Sequence, residues 1–425
     1  MRKRLLFVAL LLPAFAQAEN LLDIYAQARA NDPVLAGAAA RQGMVAQDAA
    51  IARARLLPQW NLSATELRSR PDEGSGRTLS SQISQTVFDL SRLRDWDAAK
   101  EQSRAQDALY RAAEQELCAR VAGAYFGMLS AQASLETATA NESSFAAQVE
   151  QAQARFASGL SAQADLEQAR AYAGLARTGT VAARQAWLDA RESLAEITGT
   201  LPEKLAPLVT DLPAQAPNPA AAQAWVERAL AANPALSAAR LQLASAEAGV
   251  SAARASYLPT LGFTVDTNRQ RGTGNYAPSD LRTNSQLGLT LNIPLFAGGA
   301  TQAATRKASL ARDAQREQLE AERRAWTREV RGQYEAVLGA LSQIEAGHAA
   351  VVAADKALES TRAGQQLGTR TMTDLLLGIQ TQAQARNAEA QARHRYVLAT
   401  LLLQRAAGSL GENELAAVNQ LLVKE

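Results

Sequence analysis

The chain has 425 residues, of which 20% are charged, with 44 Lys and Arg against 42 Asp and Glu. This near balance gives no support to a nucleic-acid partner, because binding to a phosphate backbone depends on clustered positive charge. The single cysteine, Cys118, excludes an intramolecular disulfide. We expect Cys118 to be a small buried residue in a helix.

The N-terminus has the features of a secretory signal peptide. A basic segment, Arg2-Lys3-Arg4, precedes an apolar run from Leu5 to Phe15 and a small-x-small cleavage site, Ala16-Gln17-Ala18. Removal of residues 1–18 takes away three cations and leaves 41 Lys and Arg in a mature chain that begins near Glu19. The apolar run is too short to span a bilayer, and no later stretch predicts a transmembrane helix. Insertion into a membrane would therefore require a β-barrel.

The sequence contains one unit twice. The segment Asn31-Asp32-Pro33-Val34-Leu35 recurs, with substitutions, as Ala232-Asn233-Pro234-Ala235-Leu236. A second constant offset relates three further landmarks of the first copy to three in the second: Tyr125, Gly159 and Asp165-Leu166 to Tyr334, Gly368 and Asp374-Leu375. Constant offsets over residues other than alanine indicate a duplication, so we predict two repeats, 19–218 and 219–425.

Each repeat begins with a helical pattern and continues with alternating strands. Pro58 and Pro259 end the helical patterns. The alternation of apolar and polar residues then predicts β-hairpins at about residues 57–89 and 258–296. Segments of about 10 residues have the length of tilted transmembrane strands, but the same alternation also fits a half-buried soluble sheet. Four strands cannot close a barrel, so a barrel would require further copies of the chain, in a number that geometry does not fix.

Long helical hairpins are predicted after both sheets. Residues 91–201 and 295–425 contain no proline and are rich in good helix formers. Glycines interrupt the middle of each stretch: Gly159 in the first copy, and Gly364 and Gly368 in the second. We expect helical hairpins over about residues 91–199 and 299–408, each with two helices of roughly 45–65 residues, followed by a short C-terminal segment. A soluble coiled coil is the alternative interpretation of these helices.

No cluster of residues in the sequence predicts an enzyme. His348 and His394 are the only histidines and lie far apart on helical patterns. No phosphate loop, Gly-x-Ser-x-Gly motif or zinc motif occurs, so we predict no catalytic residue, no metal site and no cofactor. Three classes of protein are compatible with secretion: an outer-membrane duct, a soluble periplasmic coiled-coil adaptor or structural protein, and a secreted hydrolase. The hydrolase would need a catalytic cluster that this chain lacks.

Several short segments occur in a characteristic order and in duplicate. They are Glu19-Asn20-Leu21-Leu22, Tyr25-Ala26-Gln27-Ala28-Arg29, Leu57-Pro58-Gln59, Val87-Phe88-Asp89, Leu258-Pro259, Pro294-Leu295-Phe296-Ala297-Gly298-Gly299 and Gly368-Thr369-Arg370-Thr371-Met372-Thr373-Asp374-Leu375. Together they resemble the TolC family of outer-membrane factors over essentially the whole mature chain. The resemblance implies an α+β membrane protein. Its two β-hairpins would contribute to an oligomeric transmembrane β-barrel, and its long antiparallel helical hairpins would form a periplasmic tunnel.

The resemblance also implies an assembly and a set of partners. It implies a homotrimer in outer-membrane lipid, with a barrel of about twelve strands. Such a channel conducts substrates passively for a tripartite efflux or type I secretion system. A periplasmic adaptor and an inner-membrane transporter of the ABC or RND type would dock at the tunnel tip. The absence of a cysteine after the cleavage site favours members that serve protein secretion and multidrug efflux alike, and the cargo is left open.

The resemblance places a gate near the turns of the helical hairpins. Three copies of Asp374 would form an acidic ring that attracts cations, with Asp165 at the equivalent place in the first repeat. Arg370 matches an arginine that family members use to hold the tip closed. Two positions depart from the family pattern: Leu377 replaces a second ring aspartate, and Gln365 replaces a tyrosine. Capping of the return helices is the alternative role for both aspartates, and the two roles can coexist.

Overall fold

The computed structural model describes residues 18–68, 74–273 and 280–423. The predicted signal peptide, apart from Ala18, and parts of both predicted hairpin loops lie outside these ranges. The elements in chain order are α1 (Leu21–Asn31), α2 (Pro33–Ala54), β1 (Gln59–Arg68), β2 (Ser75–Phe88), α3 (Leu90–Ala157), α4 (Gln163–Thr198), α5 (Ala222–Ala232), α6 (Pro234–Ala255), β3 (Thr260–Gly272), β4 (Arg282–Asn292), α7 (Ala300–Gln366), α8 (Met372–Ala407) and α9 (Glu412–Asn419).

The helical hairpins are less symmetric than the sequence suggested. Helices α3 and α7 have 68 and 67 residues, whereas α4 and α8 have 36 each. The estimate of roughly 45–65 residues for every helix was therefore wrong, because the glycine turn lies about two thirds of the way along each stretch. Helix α3 also begins two residues after the end of β2, so that a single residue, Asp89, connects them.

The four strands form one antiparallel sheet in the order β1-β2-β3-β4. Trp60 lies opposite Ile83, which lies opposite Val265, which lies opposite Leu287, so these four apolar side chains share one face. Many apolar side chains of this face are exposed, including Trp60 at 73% and Leu287 at 72%. In the described residues, the outer edges of β1 and β4 have no further strand partner.

The chain forms two compact units. Of the described residues, the first unit comprises 18–36, 113–233 and 326–423, and the second those within 37–112 and 234–325. The sheet belongs to the second unit. The apolar clusters of the first unit include one around Trp225 and Tyr334 and one around Phe145 and Leu376.

One stretch of α7 meets the criteria for a membrane helix. By length and composition alone, α7 contains an 18-residue stretch apolar enough to cross a membrane, of which 11% is buried. One such helix is weak evidence, because helices of soluble proteins meet the same criteria. The stretch therefore does not overturn the expectation that the chain enters a membrane through its strands.

A buried ion pair fixes the break between α1 and α2. The Arg120 guanidinium donates to both carboxylate oxygens of Asp32, at 3.1 and 2.7 Å, and Asp32 is only 3% exposed. Asp32 also accepts a hydrogen bond from the backbone N–H of Leu35 at 2.7 Å. Burial alone would raise the pKa of Asp32, but the hydrogen bonds from Arg120 and Leu35 hold it below its usual value. The second repeat has Asn233 here, whose amide donates to the Ala406 carbonyl at 3.1 Å.

Loss of the Asp32 carboxylate should destabilise the first unit. We expect Asp32→Ala to cost about 3 kcal/mol, since Arg120 loses its buried partner. Asp32→Asn should cost less, because the amide can still accept the Leu35 hydrogen bond. As the pKa of Asp32 is lowered, the pair contributes fully above about pH 4 and its contribution is lost as the pH falls through the lowered value. Thermal unfolding at pH 7 and pH 3 tests this; an unchanged melting temperature for Asp32→Ala at pH 7 would contradict it.

Gly199 and Gly408 end α4 and α8 in the left-handed conformation, with φ of 76° and 79°. A Cβ at 408 would lie 2.6 Å from the Cα of Asn233, whereas a Cβ at 199 would meet only ordinary contacts, 3.5 Å from the Asn31 Cβ. We expect Gly199→Ala to cost about 1–2 kcal/mol, from the backbone conformation, and Gly408→Ala about 1–3 kcal/mol more, from the clash. Denaturant unfolding of both variants measures the difference, and equal costs would refute the close approach.

Candidate functional site

The two helical hairpins turn at matching glycines. Gly159 and Gly368 both have φ of +73°, which a residue with a Cβ rarely adopts. The backbone N–H of Gly159 donates to the Phe156 carbonyl at 3.0 Å, and that of Gly368 to the Gln365 carbonyl at 3.2 Å. The structure therefore places these two predicted glycines in the turns themselves.

Gly364 has a different position from the one its prediction implied. It lies in the last turn of α7, and its carbonyl accepts hydrogen bonds from the backbone N–H groups of Thr369 and Arg370, at 2.8 and 3.2 Å. The Thr369 hydroxyl donates to the same oxygen at 3.0 Å. A Cβ on Gly364 would lie 2.7 Å from the Cγ of Arg370. Glycine is needed here for a close approach of the Arg370 side chain.

Asp374 is held at the start of α8 by a capping box. Its carboxylate accepts the backbone N–H of Thr371 at 3.0 Å, and its own N–H donates to the Thr371 hydroxyl at 3.1 Å. The Thr371 backbone hydrogen bond, assisted by the Thr371 hydroxyl and the charge of Arg370, lowers the pKa of Asp374 below its usual value. The carboxylate is partly exposed and ionised at neutral pH.

Asp165 lies in the equivalent first turn of α4 without a capping box. The N-cap residue there is Ala162, which has no side-chain acceptor, where the second repeat has Thr371. Neither aspartate is itself the N-cap residue, so the alternative role of N-capping was wrong in this form. Asp374 instead occupies the third position of α8, from which its carboxylate completes the capping box with Thr371. Asp165 can still interact favourably with the positive end of the helix dipole.

The remaining positions singled out at the tip differ in exposure. Gln365 is buried, with 7% of its surface exposed, whereas Leu377 is 55% exposed. In the described part of the chain, Arg370 forms no ion pair of 4 Å or less. One copy of the chain thus brings Arg370 and Asp374 to the same turn and leaves the arginine without a carboxylate contact.

An apolar cluster joins the ends of the two hairpins. The side chains of Phe145, Leu166, Leu358 and Leu376 are all 4% exposed or less. Above them, the Thr373 hydroxyl donates to the Gln168 side chain at 3.0 Å, from one hairpin to the other. The two turns therefore belong to one packed end of the first unit. The same apolar cluster underlies the helix starts that carry Asp165 and Asp374.

The tip also carries two leucines that the sequence interpretation missed. Leu160 is 79% exposed and Leu367 is 80% exposed. Each is adjacent to a turn glycine, Leu160 after Gly159 and Leu367 before Gly368. The sequence did contain a signal for their exposure, because a leucine lies beside the turn glycine in both repeats. A tight turn exposes the residues next to it to solvent.

Comparison with known proteins matches both repeats to one family. The family model described as outer membrane efflux protein matches residues 24–200 and 225–409. The chain is 34% identical over 410 residues to the outer membrane protein TolC of Vibrio cholerae, covering 95% of this chain and 93% of that one. It is 30% identical to the alkaline protease secretion protein AprF of Pseudomonas aeruginosa, covering 96% and 88%.

The fold agrees with a solved outer membrane channel. The structure of CmeC from Campylobacter jejuni superposes with a TM-score of 0.81 at 17% identity, covering 95% of this chain and 90% of that one. The predicted fold class, an α+β membrane protein with barrel strands and tunnel helices, is confirmed. The chain belongs to the outer membrane efflux protein family and is a channel of the outer membrane that extends into the periplasm.

Proposed function

We propose that this channel conducts substrates passively from an inner-membrane transporter to the exterior and that its hairpin turns form the periplasmic gate. The observation that carries the proposal is the fixed, ionised Asp374 beside Arg370 at a tip with two exposed leucines. The channel catalyses no reaction and needs no cofactor. Residues 1–18 are the cleaved signal peptide, and residues 19–218 and 219–425 are the two repeats.

The working assembly is a homotrimer. The outer edges of β1 and β4 carry backbone groups that lipid cannot satisfy, so they pair with the edges of neighbouring copies. Three copies supply about twelve strands, within the range of closed membrane barrels. Each copy contributes both helical hairpins to the tunnel.

Three copies of Asp374 form a negatively charged constriction in the trimer. The capping box fixes the carboxylate, and its lowered pKa keeps it ionised, so the ring attracts cations. Leu377 supplies no charge at the next turn of α8, so this helix contributes one acidic ring and not two. Asp165 contributes a second, less tightly fixed set of carboxylates from the first repeat.

Arg370 closes the gate through contacts with a neighbouring copy. It forms no ion pair in the described residues of its own chain, and its stem packs on Gly364. The buried Gln365 replaces a tyrosine that could reach across, so the closed state has fewer links. Contact with the partners moves the hairpins outward, which is a two-state change of packed elements.

The tip docks a periplasmic adaptor that links the channel to an inner-membrane transporter of the ABC or RND type. Leu160 and Leu367 supply the apolar contact, because both are exposed. A partner that covers them removes apolar surface from water, which favours binding. The relative AprF is named for secretion of alkaline protease.

Removal of the Asp374 charge should weaken cation block of the channel. Asp374→Asn keeps an oxygen that accepts the Thr371 N–H and removes only the charge, whereas Thr371→Ala removes the hydroxyl of the cap and keeps the charge. In planar bilayers, we expect block by a trivalent cation to weaken at least about tenfold in Asp374→Asn, because three charges leave the ring together. Thr371→Ala should retain block.

Asp189→Asn is the matched control, because it removes an exposed carboxylate of α4 about 24 residues from Asp165. Equal loss of block in this control and in Asp374→Asn would show that the effect is general screening. Unchanged block in Asp374→Asn would refute the ring while leaving the channel intact. A protein that is recovered without detergent and forms no channels would refute the proposed function.

Replacement of both tip leucines should impair docking. Leu160→Ser combined with Leu367→Ser removes two exposed apolar side chains, so folding should be unaffected while adaptor binding falls about tenfold or more. Binding is measured by cross-linking to the adaptor in cells and by transporter-dependent export. Leu175→Ser, at a site 71% exposed and further along α4, is the matched control. Normal cross-linking of the double variant would exclude the leucines from the contact.

A further inference from the structure

At the end of the sheet that carries the hairpin loops, away from the helices, a group of arginines lies on the apolar face. The strand register places Arg77 opposite Arg271, and Leu79 opposite Arg269. Arg77 also lies opposite Glu66, so these side chains share the face that carries Trp60 and Leu287. Arg68 lies on the same face, two residues beyond Glu66. The apolar side chains therefore give way to four arginines towards the hairpin turns.

The charges of this arginine group are not balanced by the sheet. Glu66 is the one carboxylate of the paired strands on this face, and it contacts Arg68 at 2.7 Å and Arg77 at 3.4 Å. In residues 18–68, 74–273 and 280–423, no ion pair involves Arg269 or Arg271. Asp280 lies just before β4, outside the paired strands. Like charges that face each other across strands are destabilising, so the fold alone does not explain Arg77 opposite Arg271.

The position of the group along the strands matches the edge of a membrane. Leu261, near the helical end of the sheet, and Arg269 lie eight positions apart on the same face of β3. At about 3.4 Å per residue and a tilt of about 40°, Arg269 lies about 21 Å and Arg271 about 26 Å above Leu261, against an apolar band about 25 Å tall. The helices connect at the other end, so these arginines lie at the outer-leaflet boundary.

A shallow pocket of about 550 Å³ lies between these side chains. Arg77, Arg269, Arg271 and Glu66 line it together with apolar side chains such as Leu79 and Leu281. Guanidinium groups bind phosphate oxygens through paired hydrogen bonds, and apolar side chains accept the first methylenes of an acyl chain. A headgroup with several phosphates attached to acyl chains has this combination of charge and surface.

We propose that three members of the arginine group, Arg77, Arg269 and Arg271, bind the headgroup of an outer-leaflet lipid that carries two or more phosphates. The inference rests on the proposed placement of the channel, with its helices on the periplasmic side. The bound phosphates neutralise the facing arginines, and the apolar face below them contacts the acyl chains. The barrel is thereby fixed in height at the outer surface.

The test measures lipid binding to the full-length detergent-solubilised trimer by native mass spectrometry. The probe is a bis-phosphorylated acylated glucosamine disaccharide, compared with its dephosphorylated form, phosphatidylglycerol and inorganic pyrophosphate. Basic residues near an anionic lipid surface contribute about fivefold each in affinity. We expect Arg269→Gln to weaken binding about fivefold, and the triple variant with Arg77→Gln and Arg271→Gln to weaken it about a hundredfold.

Arg282→Gln is the matched control for Arg269→Gln. Arg282 lies opposite Gln270, on the other face of the same sheet and close to the same height. Retained affinity in Arg282→Gln supports the proposal, whereas an equal loss there, or none in the triple variant, overturns it. Equal binding of the dephosphorylated lipid or of phosphatidylglycerol excludes a site for several phosphates. Pyrophosphate bound as tightly as the lipid would indicate an anion site without lipid selectivity.

Bilayer conductance of the same variants separates this inference from the proposed function. We expect the triple variant to conduct like the unmodified channel, because its substitutions lie on the outer face. Normal conductance with unchanged lipid binding overturns the lipid site alone. Absence of conductance in the unmodified protein would instead refute the proposed channel, whatever the lipid result.

Discussion

The backbone hydrogen bonds at the two edges of the sheet set the main constraint on this protein. A sheet of four strands has an open edge on β1 and another on β4, and hydrocarbon offers no donor or acceptor to satisfy them. Closure through copies of the chain removes both edges at once. The symmetry imposed by that closure then extends to the helical hairpins, so that every residue at a turn is present once per copy around a common axis.

The order of the strands and helices, and the turns at Gly159 and Gly368, could be predicted from the sequence. Proline at 58 and 259 and alternating side chains mark the strands, and both glycines lie in the turns with a left-handed φ. The unequal lengths of the helices also follow from the predicted bounds, because Gly159 lies about two thirds of the way along residues 91–199. The estimate of similar lengths for all helices did not use this position. The exact helix ends were less predictable, since good helix formers fill both sides of each glycine.

The residues of the proposed gate could be named from the sequence, whereas their local contacts could not. The repeat offset pairs Asp165 with Asp374, yet only the structure shows that Thr371 caps α8 where Ala162 leaves α4 without a side-chain cap. The close approach of Arg370 to Gly364 depends on side-chain packing that no periodic pattern encodes. Exposure of Leu160 likewise follows from the turn geometry, since an isolated leucine in a sequence is usually assigned to a core.

The unequal caps of the two repeats have a consequence for the symmetry of the tunnel mouth. An exact duplication would give a trimer six equivalent hairpin ends, with sixfold periodicity of charge. Thr371 in one repeat and Ala162 in the other divide these ends into two alternating sets, one with a rigid carboxylate and one without. In the proposed gate, the electrostatic potential around the mouth therefore repeats every 120° instead of every 60°, so a partner has three equivalent orientations in which to align rather than six.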